Sequence, residues 1–204
     1  SSFINKTLES TRITLPSTLT TIDAEAFYGC SSLKRVDISD IAKWCKINFG
    51  YDPKNNPLYV ANAVLYLDGS EVTEIDAQNM GIESFSDYCF TGCSSITSLS
   101  ANRKEVGAHA FKGCPNLETV RNLSKIGDYA FSNCKKLRTI ASLSNASIGT
   151  NAFEGCTALT SISHYSSSYT EFVGTRAFYG CTSLTTISLS NGKFANTISD
   201  SAFE

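Results

Sequence analysis

The stretch Ile148-Gly149-Thr150-Asn151-Ala152-Phe153-Glu154-Gly155-Cys156-Thr157-Ala158-Leu159-Thr160-Ser161-Ile162 decides how this chain folds. Its skeleton, I-x-x-x-A-F-x-G-C-x-x-L-x-x-I, recurs from Ile22, Phe85, Val106, Ile126 and Val173, and a last copy opens at Ile198. The aromatic position carries the rhythm: Phe27, Phe111, Phe131, Phe153, Phe178 and Phe203 each follow Ala, and Phe90 follows Cys89. Successive Phe positions differ by 63, 21, 20, 22, 25 and 25, so a degenerate stretch of about three periods separates Phe27 from Phe90. The last copy stops at Glu204, before its Cys and Leu, and reads as a boundary cut through a repeat.

Elementary geometry turns this period into a fold. In Leu33-Lys34-Arg35-Val36-Asp37-Ile38, Val36 and Ile38 alternate with polar neighbours, which predicts a strand with its apolar row inward. Ile22, Ala26 and Phe27, at i, i+4 and i+5, predict a short helical or 3₁₀ segment on the return arm, with Phe filling the interior. One such unit cannot bury its apolar face alone. Stacked units can, each strand pairing in parallel with the next. Roughly eight coils at about 4.8 Å give a stack on the order of 40 Å long. These are the proportions of a leucine-rich repeat. The expected fold class is therefore α/β: one domain over 1–204, a right-handed solenoid with parallel strands on one face and short helical or 3₁₀ turns on the other. A non-repeat insertion is expected at about 39–71.

The I-G-x-x-A-F-x-G-C-x-x-L copies at 126–137, 148–159 and 173–184, with their looser relatives and the opening Ile13-Thr14-Leu15-Pro16, resemble the BspA-like leucine-rich repeats of bacterial and some protist surface proteins. The resemblance covers nearly the whole chain. It implies a noncatalytic, secreted or cell-surface binding module that adheres to host or neighbouring-cell components. The implied partner is a protein or glycan on another cell or on host matrix. The alternative is a structural spacer that carries another domain.

Within the insertion, Asp40 is placed to N-cap a short helix through Ile41 and Trp44. Pro53 and Asn56-Pro57 mark a loop, and Asp68-Gly69 is a hairpin turn signal after Val64-Leu65-Tyr66-Leu67. Val72, Ile75 and Ala77 restore the strand rhythm. Two readings of the segment stand side by side. It is a structural elaboration packed on the solenoid, or a recognition loop anchored by Trp44, Tyr51 and Tyr59, since Trp and Tyr serve both as core fillers and as interface anchors.

Eight cysteines invite chemistry, yet Cys30, Cys93, Cys114, Cys134, Cys156 and Cys181 share one repeat position. Stacking predicts a ladder of small buried thiols, each a compact hydrophobe with a weak donor aimed at a loop carbonyl. Zinc prefers close pairs, and the nearest spacing is the C-x₃-C of Cys89 and Cys93, so no metal is expected. His109 shares its place with Glu25, Tyr88, Tyr129, Asn151 and Arg176, which predicts a solvent-facing position; His164 reads as a filler or rim contact at a strand end. No nucleophile elbow, zincin or phosphate-loop motif occurs, and Asp23, Asp37, Asp68, Asp128 and Glu154 fall in different repeat phases. No catalytic role and no cofactor are expected, and a carbohydrate-active enzyme fragment would need clustered carboxylates. Net charge is −2, so nothing marks nucleic acid as a partner. Apolar runs of a few residues fall far short of the roughly 20 of a membrane span, so no membrane insertion is expected.

A partner-binding surface follows from strand alternation. The second and fourth residues after each Leu point outward: Arg35 and Asp37, Ser98 and Ser100, Thr119 and Arg121, Thr139 and Ala141, Ser161 and Ser163, Thr186 and Ser188. The strip is small and hydroxylated, in keeping with 29 Ser and 20 Thr among 204 residues. Larger anchors are expected at its margins: Tyr165 and Tyr169 in the 164–172 loop, and Trp44 or Tyr59 from the insertion.

Overall fold

The computed structural model describes residues 11–143, 146–164, 170–189 and 195–204. Within them the repeat becomes two parallel ladders. The first sheet runs Glu74–Asp76, Ser98–Ser100, Thr119–Arg121, Thr139–Ala141, Ser161–His164 and Thr186–Leu189, each strand beside its sister in the next coil. The second runs Ser84–Phe85, Glu105–Val106, Lys125–Ile126, Ser147–Ile148, Thr170–Val173 and Ala195–Ile198. A smaller sheet at the amino-terminal end pairs Arg12–Thr14, Arg35–Ile38 and Val64–Leu67 in parallel, and Val64–Leu67 then folds back on Ser70–Glu71 through the Asp68-Gly69 turn. The parallel-strand solenoid expected from the period is present. Val64–Leu67, inside the expected insertion, is itself a repeat strand, in register with Arg35–Ile38.

Register makes the core. In the first sheet Ile75, Leu99, Val120, Ile140 and Ile162 stand opposite one another, and in the second Phe85, Val106, Ile126, Ile148 and Val173 do, each row ending at an exposed Ile, Ile187 and Ile198. Between them lies a column of rings. Phe90, Phe111, Phe131, Phe153, Phe178 and Phe203 stack with centroids 5.1–5.4 Å apart, the last three contacts within 9° of parallel. Every spacing exceeds the roughly 4.8 Å of strand pairing only slightly, so ring stacking and backbone pairing satisfy one repeat distance.

The return arm differs from the helical or 3₁₀ segment expected, because it pairs along the stack as well as within the coil. The N–H groups of Phe90, Phe111, Phe131, Phe153 and Phe178 donate to Ala110, Ala130, Ala152, Ala177 and Ala202 of the following coil at 2.7–2.8 Å. The alternate N–H groups of Ala110, Lys112 and Cys114 donate three residues back, to Gly107, His109 and Phe111. A helix would turn every N–H along its own axis. Here a left-handed residue, His109 at φ 57°, then Gly113 at φ 69°, redirects every second one to the neighbouring coil.

The Gly that follows the four inner second-sheet strands, at 107, 127, 149 and 174, is demanded by packing. A Cβ on Gly149 would stand 2.7 Å from Asp128 N and from Gly127 C, and one on Gly127 would stand 2.6 Å from Ala108 N. Backbone lies against backbone there, so no side-chain motion can make room. Gly149→Ala is expected to destabilise by roughly 1–3 kcal/mol through overpacking. An unchanged urea midpoint would show that the coils are not in contact at this turn.

Candidate functional site

The strand face has the alternation that the sequence predicts. Pairing lines up Ser98, Thr119, Thr139, Ser161 and Thr186 in one row, beginning beside Glu74. A second row brings together Asp76, Ser100, Arg121 and Ala141, and Ser163 stands opposite Ser188. Thr119, Arg121, Thr186 and Ser188 are exposed; Ser98, Thr139, Ala141, Ser161 and Ser163 are half-buried; Ser100 is buried. Inter-strand spacing sets these exposures, since a small side chain between two others at about 4.8 Å is partly covered by both.

In the smaller amino-terminal sheet the corresponding positions carry charge. Arg12 stands opposite Arg35 and Ile13 opposite Val36, so both guanidiniums reach Asp37. Arg35 holds its carboxylate at 2.6–3.0 Å, and Arg12 Nε reaches it at 2.7 Å. The hydrogen bonds from Arg35, then those from Arg12, keep the Asp37 carboxyl below its ordinary range against the opposing effect of burial. Arg35 also lies 3.8 Å over the Tyr66 ring. Asp37 is thus only 6% exposed, and its outward position does not make it a free contact. The sequence reading missed Arg12, although Ile13-Thr14-Leu15 already aligned it with Arg35.

The expected marginal anchors separate. Trp44 is 1% exposed, and its Nε1 donates to the Cys89 carbonyl at 3.0 Å. It is a core residue, because the helix Ile41–Trp44, capped by Asp40, turns its indole onto Phe49 and Phe90. Tyr59, on the short helix Pro57–Val60, is half exposed; its ring lies where a Cβ on Gly92 would come within 2.9 Å. Tyr165 and Tyr169 lie outside the described residues. The most exposed aromatic described is Tyr51, at 94%, followed by Tyr28 at 76%.

All eight cysteines are buried and unpaired. Cys114, Cys134, Cys156 and Cys181 point their thiols at the carbonyls of Phe90, Phe111, Phe131 and Phe153, at 3.1–3.2 Å. Burial raises the pKa of Cys93, Cys114 and Cys156 above the ordinary thiol value, and that of Cys181 to about 11. The ladder is packing, as the shared repeat position predicts.

His109 corrects an expectation. Its place is only in part solvent-facing: Glu25 and Arg176 are exposed there, His109 and Tyr129 are half-buried, and Tyr88 and Asn151 are 9% and 6% exposed. Equivalent positions are neighbours in a stack, so their side chains cover one another. The His109 ring lies between Tyr88 and Tyr129 with centroids 4.7 and 4.9 Å away, within 7° of parallel. Burial, and then Lys112, lower its pKa, with Asp87 and Asp128 opposing. The side chain of His164 is outside the described set. Among the described residues, no three His, Cys, Asp or Glu side chains gather to hold a metal, and no helix is long and apolar enough to cross a membrane.

The family model for the BspA type leucine rich repeat region matches in six copies, over residues 1–49, 63–138 and 104–204. No curated protein matches the chain. Among solved structures, a leucine rich cell surface protein from Faecalibacterium prausnitzii A2-165 is similar with TM-score 0.52 and 17% identity, over 88% of this chain and 59% of that one. A leucine-rich repeat protein from Eubacterium ventriosum ATCC 27560 gives TM-score 0.48 and 20% identity, over 93% of this chain and 50% of that one. This chain therefore spans little more than half the length of those two proteins.

Proposed function

We infer the function from two premises: the chain belongs to the BspA-type leucine-rich repeat family, and its first sheet presents one hydroxylated position over and over. The reading they support is a noncatalytic, secreted or cell-surface interaction module that adheres to components of a host or of neighbouring cells. The observation that carries it is the in-register row Ser98, Thr119, Thr139, Ser161 and Thr186. Such a row offers the same weak contact at each coil. It lacks the large aromatics that dominate tight interfaces, so affinity comes from many simultaneous contacts and many copies of the protein. The Faecalibacterium protein of similar fold is a cell surface protein, which supports the same compartment.

A second reading, a spacer that holds another domain away from the surface, is favoured by the small, even polarity of that row. Charge and bulk separate the two. Ser161→Arg and Thr139→Glu sit on half-buried strand positions that face outward and should leave folding intact. On a binding strip they should reduce capture of partner cells or matrix several-fold in a pull-down with multivalent display. Capture that is undiminished by both changes would leave the spacer reading standing.

A further inference from the structure

Off the strand face, the return arm of the first coil and the insertion enclose an open cleft of about 350 Å³, within the range of small-molecule sites. Thr21, Ile22, Asp23 and Ala24 form one wall, and Asn48, Gly50, Tyr51, Asp52 and Asn55 form the other. The walls are fastened to each other. Ile22 N–H donates to Asn48 O and Asn48 N–H to Thr20 O, both at 2.9 Å. Asn55, 4% exposed, accepts from Glu25 N–H at 3.2 Å and donates to Phe49 O at 2.7 Å, so one buried amide ties the first coil to the insertion.

Tyr51 stands on this frame. Its backbone is held from the opposite side, where the Tyr88 hydroxyl donates to the Tyr51 carbonyl at 3.1 Å. Gly50 before it takes a left-handed φ of 67°, and its N–H is held by Asn48 Oδ1 at 2.8 Å. Asp52 after it caps the turn Pro53–Asn55. The main chain is therefore fixed on both sides, while Tyr51 is left 94% exposed beside the cleft. A large ring that buries nothing contributes nothing to folding. Held ready, it offers a flat apolar face at little ordering cost to a ligand.

We propose that this cleft binds a neutral pyranose sugar of a surface glycan, with the sugar's C–H face on the Tyr51 ring and its hydroxyls on Asp23, Asn48 and Asp52. A pyranose needs an aromatic plane for its axial C–H groups together with planar amide and carboxylate groups that can serve several hydroxyls. The lining offers both. Asp23 and Asp52 repel a sugar carboxylate or sulfate, which restricts the class to uncharged sugars. The site is separate from the hydroxylated strand face and goes beyond the module reading, on which it rests only for the class of partner.

The test is amide chemical-shift mapping on the isotope-labelled chain, titrated with methyl glycosides of glucose, galactose, mannose and N-acetylglucosamine, and with N-acetylneuraminic acid as the anionic comparison. At least one neutral glycoside should move the amides of 21–24 and 48–52 with an affinity on the order of millimolar. N-acetylneuraminic acid should move none of them. Tyr51→Ala should weaken the titration about tenfold or more and Tyr51→Phe by no more than about twofold, with the first-sheet amides unmoved in both variants. The inference is overturned if no neutral glycoside shifts those amides, if the anionic sugar binds equally well, or if Tyr51→Ala titrates like the parent. Ser161→Arg and Thr139→Glu should not alter the titration. Sugars that bind nowhere, with cell capture still lost on the strand-face changes, would remove this inference and leave the module reading intact.

Discussion

Phe131→Ala is expected to destabilise the solenoid by about 3–5 kcal/mol, the transfer cost of the ring plus the cavity that it leaves. Phe131 is fully buried, with rings at 5.4 Å on one side and 5.1 Å on the other. Both neighbours are backbone-paired at fixed spacing and cannot close the gap. Phe203, 42% exposed in the last coil, should lose markedly less on the same change. Urea denaturation of the two variants side by side, followed by circular dichroism, is the check. Equal losses at both positions would mean that the rings do not form one load-sharing column.

Trp44→Ala should cost a similar amount, about 3–5 kcal/mol. The indole packs edge-on to Phe49 at 5.3 Å and tilted to Phe90 at 6.4 Å, and its N–H serves the buried Cys89 carbonyl. Trp44→Phe isolates that hydrogen bond and should cost less, since much of the packing survives. As the chain's one tryptophan, Trp44 also reports on its own surroundings. Its fluorescence should be blue-shifted in the native state and move to the red only at the main unfolding transition. A native emission typical of water-exposed indole would contradict the burial.

The two positions differ in how far they could be read in advance. Phe131 is legible because its environment is made of copies of itself. Once the period is known, the neighbours of any repeat residue are the same position one coil away, and the core rows, the outward row and the thiol ladder all follow. Trp44 has no sister. Its partners Phe90 and Cys89 lie about forty-five residues on, and nothing local distinguishes an indole turned onto them from one offered to a partner. Tyr51 and Trp44, seven residues apart and of similar chemistry, end in opposite surroundings.

Alternation and period, then, were enough to set the parallel-strand stack, the Phe column and the hydroxylated face, because those features need only that like stands on like. Three things came from the assembled chain. The return arm pairs along the stack through left-handed residues, so that every second N–H is satisfied by the next coil. His109 is half-buried between the rings of Tyr88 and Tyr129, because stacking makes neighbours of side chains that look exposed one repeat at a time. The cleft beside Tyr51 exists because Asn48 and Asn55 bind the insertion to the first coil across some thirty residues. The first two join segments one repeat apart, yet the backbone course within a coil, which the period does not give, decides them; the third joins segments whose separation the period does not encode.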